Sequence, residues 1–314
     1  MRILITGGFG YLGGRLAKHF QAKGHQIILG TRHLVVAPPW LPEAKIVETI
    51  WDDNSSLEQS CRDVDVVIHA AGVNSSDCES DPIEALAFNG LATLKLVIAA
   101  NKLKVKKFIY LSTAHVYSSP LAGSINEKTP PKNLHPYATS HIAGENAVLR
   151  SNMTGQMEGL VVRLSNVFGA PMNKDVNCWM LLVNELCKQG VVDRRMVLRD
   201  TKIQKRDFIS MDEVCEDLEW LVMNKIDVYK ENIFNISSEM SHTTIEIAQL
   251  VQTRFSKVLG FMPRLEHKMS FINNDISNLI IKADSLRAVG ASKHICNKNV
   301  EIDNLINFCK SVFI

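Results

Sequence analysis

Hydrophobic and polar positions form two kinds of pattern in the first half of the chain. Short apolar runs alternate with longer stretches in which apolar residues recur with the period of a helix. The apolar runs predict strands over Arg2–Thr6, Gln26–Thr31, Ile46–Ile50, Val64–Ala70, Lys107–Ser112 and Leu160–Leu164. The stretches between them predict helices over Tyr11–Lys23, Pro82–Asn101 and Tyr137–Arg150. Strands that alternate with helices in this way indicate βαβ units and a parallel sheet buried on both faces.

The second half of the chain has a less regular pattern. The segment Gly169-Ala-Pro171 ends the alternation, and several helical stretches follow it. We therefore expect an α/β fold with a doubly wound parallel sheet in residues 1–168. A smaller C-terminal substrate-binding region is expected in residues 169–314, partly interleaved with the first domain.

Composition and charge narrow the class of protein. The 314 residues include 35 Lys and Arg against 33 Asp and Glu, a formal net charge of +2. Without a basic excess, the chain is not expected to bind nucleic acid or a membrane surface. The apolar runs are shorter than the roughly 20 residues of a membrane span, and no leader pattern follows Met1. We expect a cytoplasmic protein.

The cysteines are scattered and never spaced as CxxC, which disfavours a zinc site or a disulfide framework. Reduced thiols and no bound metal are the expectation. The seven residues concerned are Cys61, Cys78, Cys178, Cys187, Cys215, Cys296 and Cys309.

A glycine-rich turn between the first strand and the first helix is the first indication of a binding site. Gly7, Gly10 and Gly13 form G-x-x-G-x-x-G at the point where backbone N–H groups of a helix can approach a pyrophosphate. Such a triplet is often only a tight turn, but its strand–turn–helix context favours dinucleotide binding. The expected cofactor contacts are Gly7, Phe9, Gly10, Tyr11, Leu12, Gly13, Ala70, Ala71 and Gly72.

The end of the second strand bears on which dinucleotide binds. An NAD enzyme usually has an acidic residue there for the ribose hydroxyls, whereas this chain has Thr31-Arg32-His33. Arg32 is suited to pair with a 2′-phosphate, which favours NADP over NAD. The alternative is a solvated surface arginine after the end of a strand.

Further motifs follow in a fixed order. Thr113 ends the fifth strand, and Tyr137 follows 24 residues later. Beyond them come Arg163-Leu-Ser-Asn166-Val-Phe-Gly169 and the segment from Gln204 to Val214, which reads Q-x-R-D-F-x-x-x-D-x-V. With the glycine turn, these motifs resemble the extended short-chain dehydrogenase/reductase family, in its group of nucleotide-sugar epimerases and dehydratases. The resemblance covers residues 1 to about 220.

The resemblance implies a Rossmann-type fold, a homodimer and NAD(P)-dependent epimerase or ketoreductase chemistry on a nucleotide-activated sugar. It makes Tyr137 the acid/base and Thr113 the hydroxyl that orients the reacting oxygen. Proton transfer by a tyrosine requires a lowered pKa, because the free side chain titrates near 10. Ala114 and His115 replace the acid pair of a 4,6-dehydratase, which favours epimerase or ketoreductase chemistry.

Position 141 departs from the family pattern, because His141 stands where the family has a lysine. In the family that lysine lowers the tyrosine pKa and holds the nicotinamide ribose. His141 could replace it in protonated form, or bind the ribose while neutral, since its unperturbed pKa is near 6.5. Two alternatives stay open: catalysis is impaired while cofactor binding persists, or the imidazole only fills space. Retained activity is favoured because Thr113 and Tyr137 are both present.

Candidate substrate contacts come from the later motifs. By resemblance, Asn166 is a substrate contact and Arg206 reaches the substrate diphosphate, an anion suited to a guanidinium. The alternative for Arg206 is a surface position in a charged turn, and His115 is more often structural than ligand-binding. Two other functions stay open: an NADPH-dependent reductase of a non-nucleotide carbonyl compound, and a non-catalytic dinucleotide-binding sensor.

Overall fold

The computed structural model describes residues 1–33, 35–153, 155, 157–199, 204–228, 230–267, 278–291 and 297–314. The strands are β1 Arg2–Thr6, β2 Gln26–Thr31, β3 Lys45–Glu48, β4 Val66–His69, β5 Lys107–Thr113, β6 Gly123–Ile125, β7 Glu158–Leu164, β8 Asn166–Phe168, β9 Arg195–Leu198, β10 Lys205–Ser210, β11 Ile233–Ile236, β12 Ser241–Thr243, β13 Arg264–His267 and β14 Leu279–Ile281.

The helices are α1 Tyr11–Ala22, α2 Asn54–Ser60, α3 Ser75–Ser80, α4 Pro82–Ala85, α5 Thr93–Lys102, α6 Pro136–Asn152, α7 Leu182–Val192, α8 Met211–Met223, α9 Thr244–Leu259, α10 Asp284–Ala288 and α11 Lys298–Phe313. A π-helical segment, Leu86–Ala92, joins α4 to α5, and a 3₁₀ turn, Ala114–Val116, follows β5.

Seven parallel strands form the main sheet in the order β3-β2-β1-β4-β5-β7-β11. The order reverses between β1 and β4, so the carboxyl ends of these two strands flank a crevice at the switch point. Helices cover both faces, and the predicted doubly wound parallel fold is confirmed.

Alternate residues of each central strand pack on opposite faces of the sheet. Ile3 and Ile5 of β1 face the cluster that includes α1 and α8, whereas Leu4 faces the cluster that includes α2, α5 and α6. All three side chains are fully buried. Burial on both sides explains why these strands read as continuous apolar runs rather than as alternating ones.

The C-terminal part of the chain is not separated cleanly from the sheet. Its strand β11 adds the seventh strand, and β10 pairs in parallel with β8 to extend the structure beyond the sheet. Helices α7, α9 and α11 enclose a second core around Phe255 and Leu305. The division at residue 168 stays a prediction.

The side chain of Arg15 links helix α1 to helix α11. Its guanidinium donates to Glu301 Oε1 at 2.8 Å and to the carbonyl of Ala170 at 2.7 Å, and it also pairs with Asp212. Glu301 is 1% exposed and accepts the backbone N–H of Ala170 at 3.1 Å. The helix that follows the glycine turn is therefore anchored to the C-terminal region.

The six described cysteines are free and buried, and Cys296 lies outside the described residues. Within the described ranges, no three His, Cys, Asp or Glu side chains are grouped closely enough to hold a metal ion. The expectation of no bound metal stays a prediction.

Candidate active site

In the glycine turn, backbone segments lie closer together than residues with a Cβ would allow. The Gly10 N–H donates to the Gly7 carbonyl at 2.8 Å, and a Cβ on Gly13 would lie only 2.2 Å from that carbonyl oxygen. Gly7 has a φ of +65°, and a Cβ there would come within 2.9 Å of the Ala71 backbone. Larger residues would therefore push apart the turn and the loop after β4. The result leaves the N-terminus of α1 open to an anionic group.

A cleft of about 590 Å³ opens above this turn, at the carboxyl ends of β1, β2 and β4. Two buried polar groups in its wall, Thr49 Oγ1 and the Trp51 indole N–H, have no hydrogen-bond partner among the described residues. Such groups fit a ligand that carries its own donors and acceptors. The lining includes ten residues predicted to contact the cofactor: Gly7, Phe9, Gly10, Tyr11, Leu12, Gly13, Arg32, Ala70, Ala71 and Gly72.

Arg32 lies just beyond the end of β2, with its side chain on the rim of the cleft and exposed. Its neighbours in this part of the lining are Gly30 and Thr31, so the described end of β2 contributes no carboxylate. The cleft therefore fits a dinucleotide, with a guanidinium at the position where the ribose of the adenosine half is expected.

Tyr137 and Thr113 meet close to this cleft but outside its lining, beside His141. Thr113 is the last residue of β5, and Tyr137 lies in the first turn of α6, whose N-cap, His135, accepts the Tyr137 backbone N–H at 3.1 Å. The two side chains are hydrogen-bonded. Burial raises the pKa of Tyr137, and the bond to Thr113 opposes that rise only in part. The phenol therefore keeps its proton at neutral pH.

His141 lies one helical turn after Tyr137, with the two rings edge to face and their centroids 4.6 Å apart. It is 6% exposed, and burial lowers its pKa to about 4. The imidazole is neutral at pH 7, so it does not replace the charge of a lysine. A Cβ built on Gly72 would lie 4.0 Å from Cε1 of His141, so the ring borders the lining of the cleft.

The next turn of α6 holds a buried ion pair. Glu145 is 2% exposed and receives two hydrogen bonds from Arg163 of β7, at 2.9 and 2.6 Å. Ser112 Oγ donates to the same carboxylate at 2.6 Å. This network fixes α6 against β5 and β7, and thereby holds Tyr137 opposite Thr113.

The predicted substrate residues lie together on the other side of Thr113. The side chain of Asn166 is hydrogen-bonded to His115 and donates from Nδ2 to the carbonyl of Asp207 at 2.8 Å. Burial and then the charge of Arg206 lower the pKa of His115. The imidazole of His115 is therefore neutral at pH 7, and its expected structural role stays a prediction.

Sequence reasoning missed several residues of the site. Tyr110, in the middle of β5, lies with its hydroxyl 2.9 Å from His141 Nδ1. The wall of the cleft also includes residues that were not predicted: Thr49, Trp51, Val73, Asn74, Asp77, Glu84, Phe88 and Asn177. The alternation of β5 contained a signal for Tyr110, because it points to the face that α6 covers, together with Ser112. Nothing in the pattern signalled the residues that follow β3.

A doubly wound sheet with a glycine turn at its switch point and a Tyr–Thr pair beside the cleft defines a dinucleotide-binding enzyme of the Rossmann class. Residues 3–237 match the model of the NAD dependent epimerase/dehydratase family, and the chain belongs to that family. The resemblance stated from the motifs is confirmed, and with it the assignment to NAD-dependent enzymes of the extended short-chain dehydrogenase/reductase type.

Relatives extend over nearly the whole chain. The UDP-glucose 4-epimerase of Streptococcus mutans is 24% identical over 307 residues, which cover 92% of this chain and 90% of that protein. The Thermus thermophilus UDP-glucose 4-epimerase, solved with NAD, has a TM-score of 0.80 at 20% identity and covers 99% and 100% of the two chains. The Thermotoga maritima UDP-glucose 4-epimerase, solved with UDP-glucose, has a TM-score of 0.82 at 19% identity, with all of both chains covered.

Proposed function

We propose that the protein is an NADP(H)-dependent oxidoreductase that reduces a ketone on a nucleotide-activated sugar. One observation carries the proposal: Tyr137 pairs with Thr113 beside a neutral His141, close to the glycine-turn cleft. A phenol that is protonated at neutral pH is a general acid, and ketone reduction needs an acid at the carbonyl oxygen. A cation at position 141 would instead favour the phenolate, which is the base that alcohol oxidation needs.

In the proposed reaction Tyr137 gives its phenolic proton to the carbonyl oxygen while the carbonyl carbon gains a hydride. The product is a secondary alcohol. Bound nicotinamide is the source of the hydride. Thr113 orients the reacting oxygen and stabilises the phenolate that Tyr137 becomes, and solvent then returns the proton.

The group around Asn166 supports the proposed substrate class. Arg206 provides a cation, and Asn166 and His115 provide polar groups beside it. A guanidinium suits the diphosphate that links a nucleotide to a sugar. The relatives named as UDP-glucose 4-epimerases support a nucleotide sugar rather than a small ketone.

The proposed cofactor preference is for NADP, with Arg32 paired to the 2′-phosphate. The support is the exposed guanidinium on the cleft rim and the absence of a carboxylate from the described end of β2. NAD stays the alternative, since the related T. thermophilus enzyme was solved with it.

We also propose a homodimer. The continuous helix Pro82–Lys102 has a mean hydropathy of 1.6 over 18 residues, enough by length and composition to cross a membrane, but half of that window is buried inside the protein. Its outer side exposes Ile83, Leu86 and Ile98, and a groove of about 380 Å³ lies between it and α6. Two such faces packed together bury this apolar surface.

We further propose that the protein is cytoplasmic and has no membrane or nucleic-acid partner.

A second candidate is a 4-epimerase, favoured by the S. mutans relative that spans 92% of the chain. An epimerase oxidises and then reduces the same sugar, so it returns its cofactor unchanged. A ketoreductase consumes one NADPH for each product molecule.

The deciding experiment follows NADPH absorbance with 4-keto nucleotide sugars, and in parallel follows UDP-glucose with NAD by NMR. Loss of NADPH in proportion to a new secondary alcohol is the expected result. Interconversion of UDP-glucose and UDP-galactose without net loss of cofactor would favour the epimerase. Reduction of simple ketones alone would favour the non-nucleotide reductase, and cofactor binding without any turnover would favour a sensor.

A further inference from the structure

The inner nitrogen of His141 has a defined partner. Nδ1 lies 2.9 Å from the hydroxyl of Tyr110, which is 1% exposed. The hydroxyl has a second acceptor in reach, the Asn89 carbonyl, at 3.4 Å. That carbonyl already accepts the Thr93 hydroxyl at 2.8 Å. The shorter distance favours donation from Tyr110 to His141.

A neutral imidazole carries one proton, so the acceptor role of one nitrogen fixes the proton on the other. If Nδ1 accepts from Tyr110, Nε2 carries the hydrogen. The edge of the ring that bears Cε1 borders Gly72, which lines the cleft.

We propose that Tyr110 is a positioning residue that holds His141 in the Nε2–H tautomer, so that His141 offers the bound cofactor an uncharged hydrogen-bond donor. The effect of Tyr110 on catalysis rests on the proposed function. The His141 tautomer and its effect on cofactor binding are independent of that function, because both can be measured without turnover.

A chain of buried hydrogen bonds leads from the glycine-turn strand to the Asn89 carbonyl beside Tyr110. The Ala71 N–H donates to Thr6 Oγ1 at 3.4 Å, and Thr6 donates to His69 Nδ1 at 2.6 Å. Burial lowers the pKa of His69 to about 3, so its ring is neutral and carries one proton. Because the Thr93 hydroxyl donates to the Asn89 carbonyl, Nε2 of His69 is the donor to Thr93 Oγ1 at 3.0 Å.

Thr93 donates its one hydroxyl proton to the Asn89 carbonyl, so it supplies none to Tyr110. The chain therefore runs from the glycine-turn strand β1, through the buried histidine of β4, to the carbonyl that is the second acceptor in reach of Tyr110. Every proton of the chain is used within it, so Nδ1 of His141 is left to the Tyr110 hydroxyl.

The surroundings of His141 keep it uncharged. Burial raises the pKa of Tyr110 and of Tyr137, so neither offers a negative charge at neutral pH. The charged pair one turn further along α6 is already matched. The titratable groups nearest the ring are Tyr110 from β5, Tyr137 on its own helix and His69 from β4. Beyond them lie the pair of Glu145 with Arg163 from β7, and Cys78 from α3, which is near both tyrosines.

The test uses ¹⁵N-histidine NMR on the full chain, with the His141 signals assigned by their loss in His141→Gln. The expected wild-type spectrum has the proton on Nε2 throughout pH 6–9. In Tyr110→Phe the Nδ1 resonance moves as this nitrogen loses its hydrogen bond, and the Kd for NADPH rises about fivefold, as for one lost hydrogen bond.

Tyr117→Phe is the matched control. Its hydroxyl is also buried and donates to Asn235 at 2.7 Å, so its removal costs comparable stability without touching His141. The control is expected to keep both the His141 spectrum and the NADPH affinity.

A proton on Nδ1, a charged His141 at pH 7, or equal NADPH affinities for Tyr110→Phe and Tyr117→Phe would overturn the inference. The wild-type spectrum decides the tautomer even if Tyr110→Phe does not fold. Absence of ketone reduction with the expected spectrum and affinities would count against the proposed function alone.

Discussion

Tyr137 is the residue on which the proposed chemistry depends most directly. Tyr137→Phe removes the proton donor and keeps the ring that packs on His141. We expect kcat to fall by about 10²–10⁴-fold, as for loss of a general acid. The NADPH Kd should stay within about twofold, because no residue of the cleft lining changes. Steady-state kinetics with a fluorescence titration separate the two effects, and a variant with near-normal kcat would remove Tyr137 from the proposed role.

The protonation state of Tyr137 predicts the pH dependence of the wild-type enzyme. Reduction needs the phenol, and burial raises its pKa, so the rate of reduction should be flat through pH 6–9 and fall only above that range. Oxidation of the product alcohol needs the phenolate and should rise with pH across the same window. Initial rates of kcat/KM in both directions test this, and an alkaline fall in reduction centred below pH 8 would contradict it.

Arg32 sets the expected cofactor preference. Arg32→Ala removes a charge-assisted contact to the 2′-phosphate and should weaken NADPH binding about 10- to 100-fold while NADH binding changes little. Arg62→Ala, at an exposed arginine outside the cofactor cleft, is the matched control. Equal losses for NADPH and NADH would mean that Arg32 contacts a part common to both cofactors.

At the residue scale, sequence reasoning predicted that Thr113, Tyr137 and His141 lie together, as they do, but not the protonation state of each group. Thr113 and Tyr137 could be placed together because their spacing follows a family pattern and the ends of parallel strands meet at one edge. The charge of His141 could not be predicted, because it depends on burial by residues far apart in sequence. Tyr110, its partner, lies 31 positions earlier.

At the scale of the element, patterns predicted which segments are helices and strands better than they predicted local detail. The strand Arg2–Thr6 is confirmed at both ends, whereas the strand expected over Ile46–Ile50 is observed at Lys45–Glu48. The helix expected over Pro82–Asn101 contains the π-helical segment Leu86–Ala92. A Cβ on Gly90 would lie 3.0 Å from Cβ of Ala143, so this segment packs closely against α6, a contact that the apolar pattern does not predict.

Helix α8 contains a destabilising buried carboxyl. Burial raises the pKa of Asp217 to about 7, and nearby Glu213 adds to that rise, although Arg287 opposes it. The folded protein then binds a proton that the unfolded chain releases near pH 4, so this group lowers stability as pH rises from about 4 to 7.

Asp217→Asn removes this titration. The gain in unfolding free energy should be about 2–3 kcal/mol larger at pH 8 than at pH 5. Urea unfolding at the two pH values measures it, with Asp193→Asn as an exposed acidic control. A gain that does not vary with pH would mean that Asp217 is ionised at both.

At the scale of the whole molecule, the exposed apolar face of Pro82–Lys102 predicts self-association. Ile98 is 58% exposed on this face, and Ile98→Glu puts a charge where two copies would meet. The variant should sediment as a monomer at concentrations where the wild-type is a dimer. Met223→Glu, at an equally exposed apolar site on α8, should not change the sedimentation. A monomeric wild-type protein would rule out the dimer.

The type of sheet could be predicted from the sequence, whereas the position of one of its edge strands could not. Alternating strands and helices define a parallel sheet because few other arrangements bury such segments. The sequence around Ile233–Ile236 does not indicate that this strand pairs with the edge of that sheet, since a short apolar strand can pair with many edges.

The contact between Arg15 and Glu301 joins residues 286 positions apart, and this has a consequence for how the protein is made. A ribosome delivers the glycine turn long before Glu301 on α11 leaves the exit tunnel. Until then Arg15 and the Ala170 N–H lack the carboxylate that joins them. The nascent chain therefore carries its nucleotide-binding motif while all the residues between are made, and that motif is fixed to the C-terminal region only after α11 has emerged.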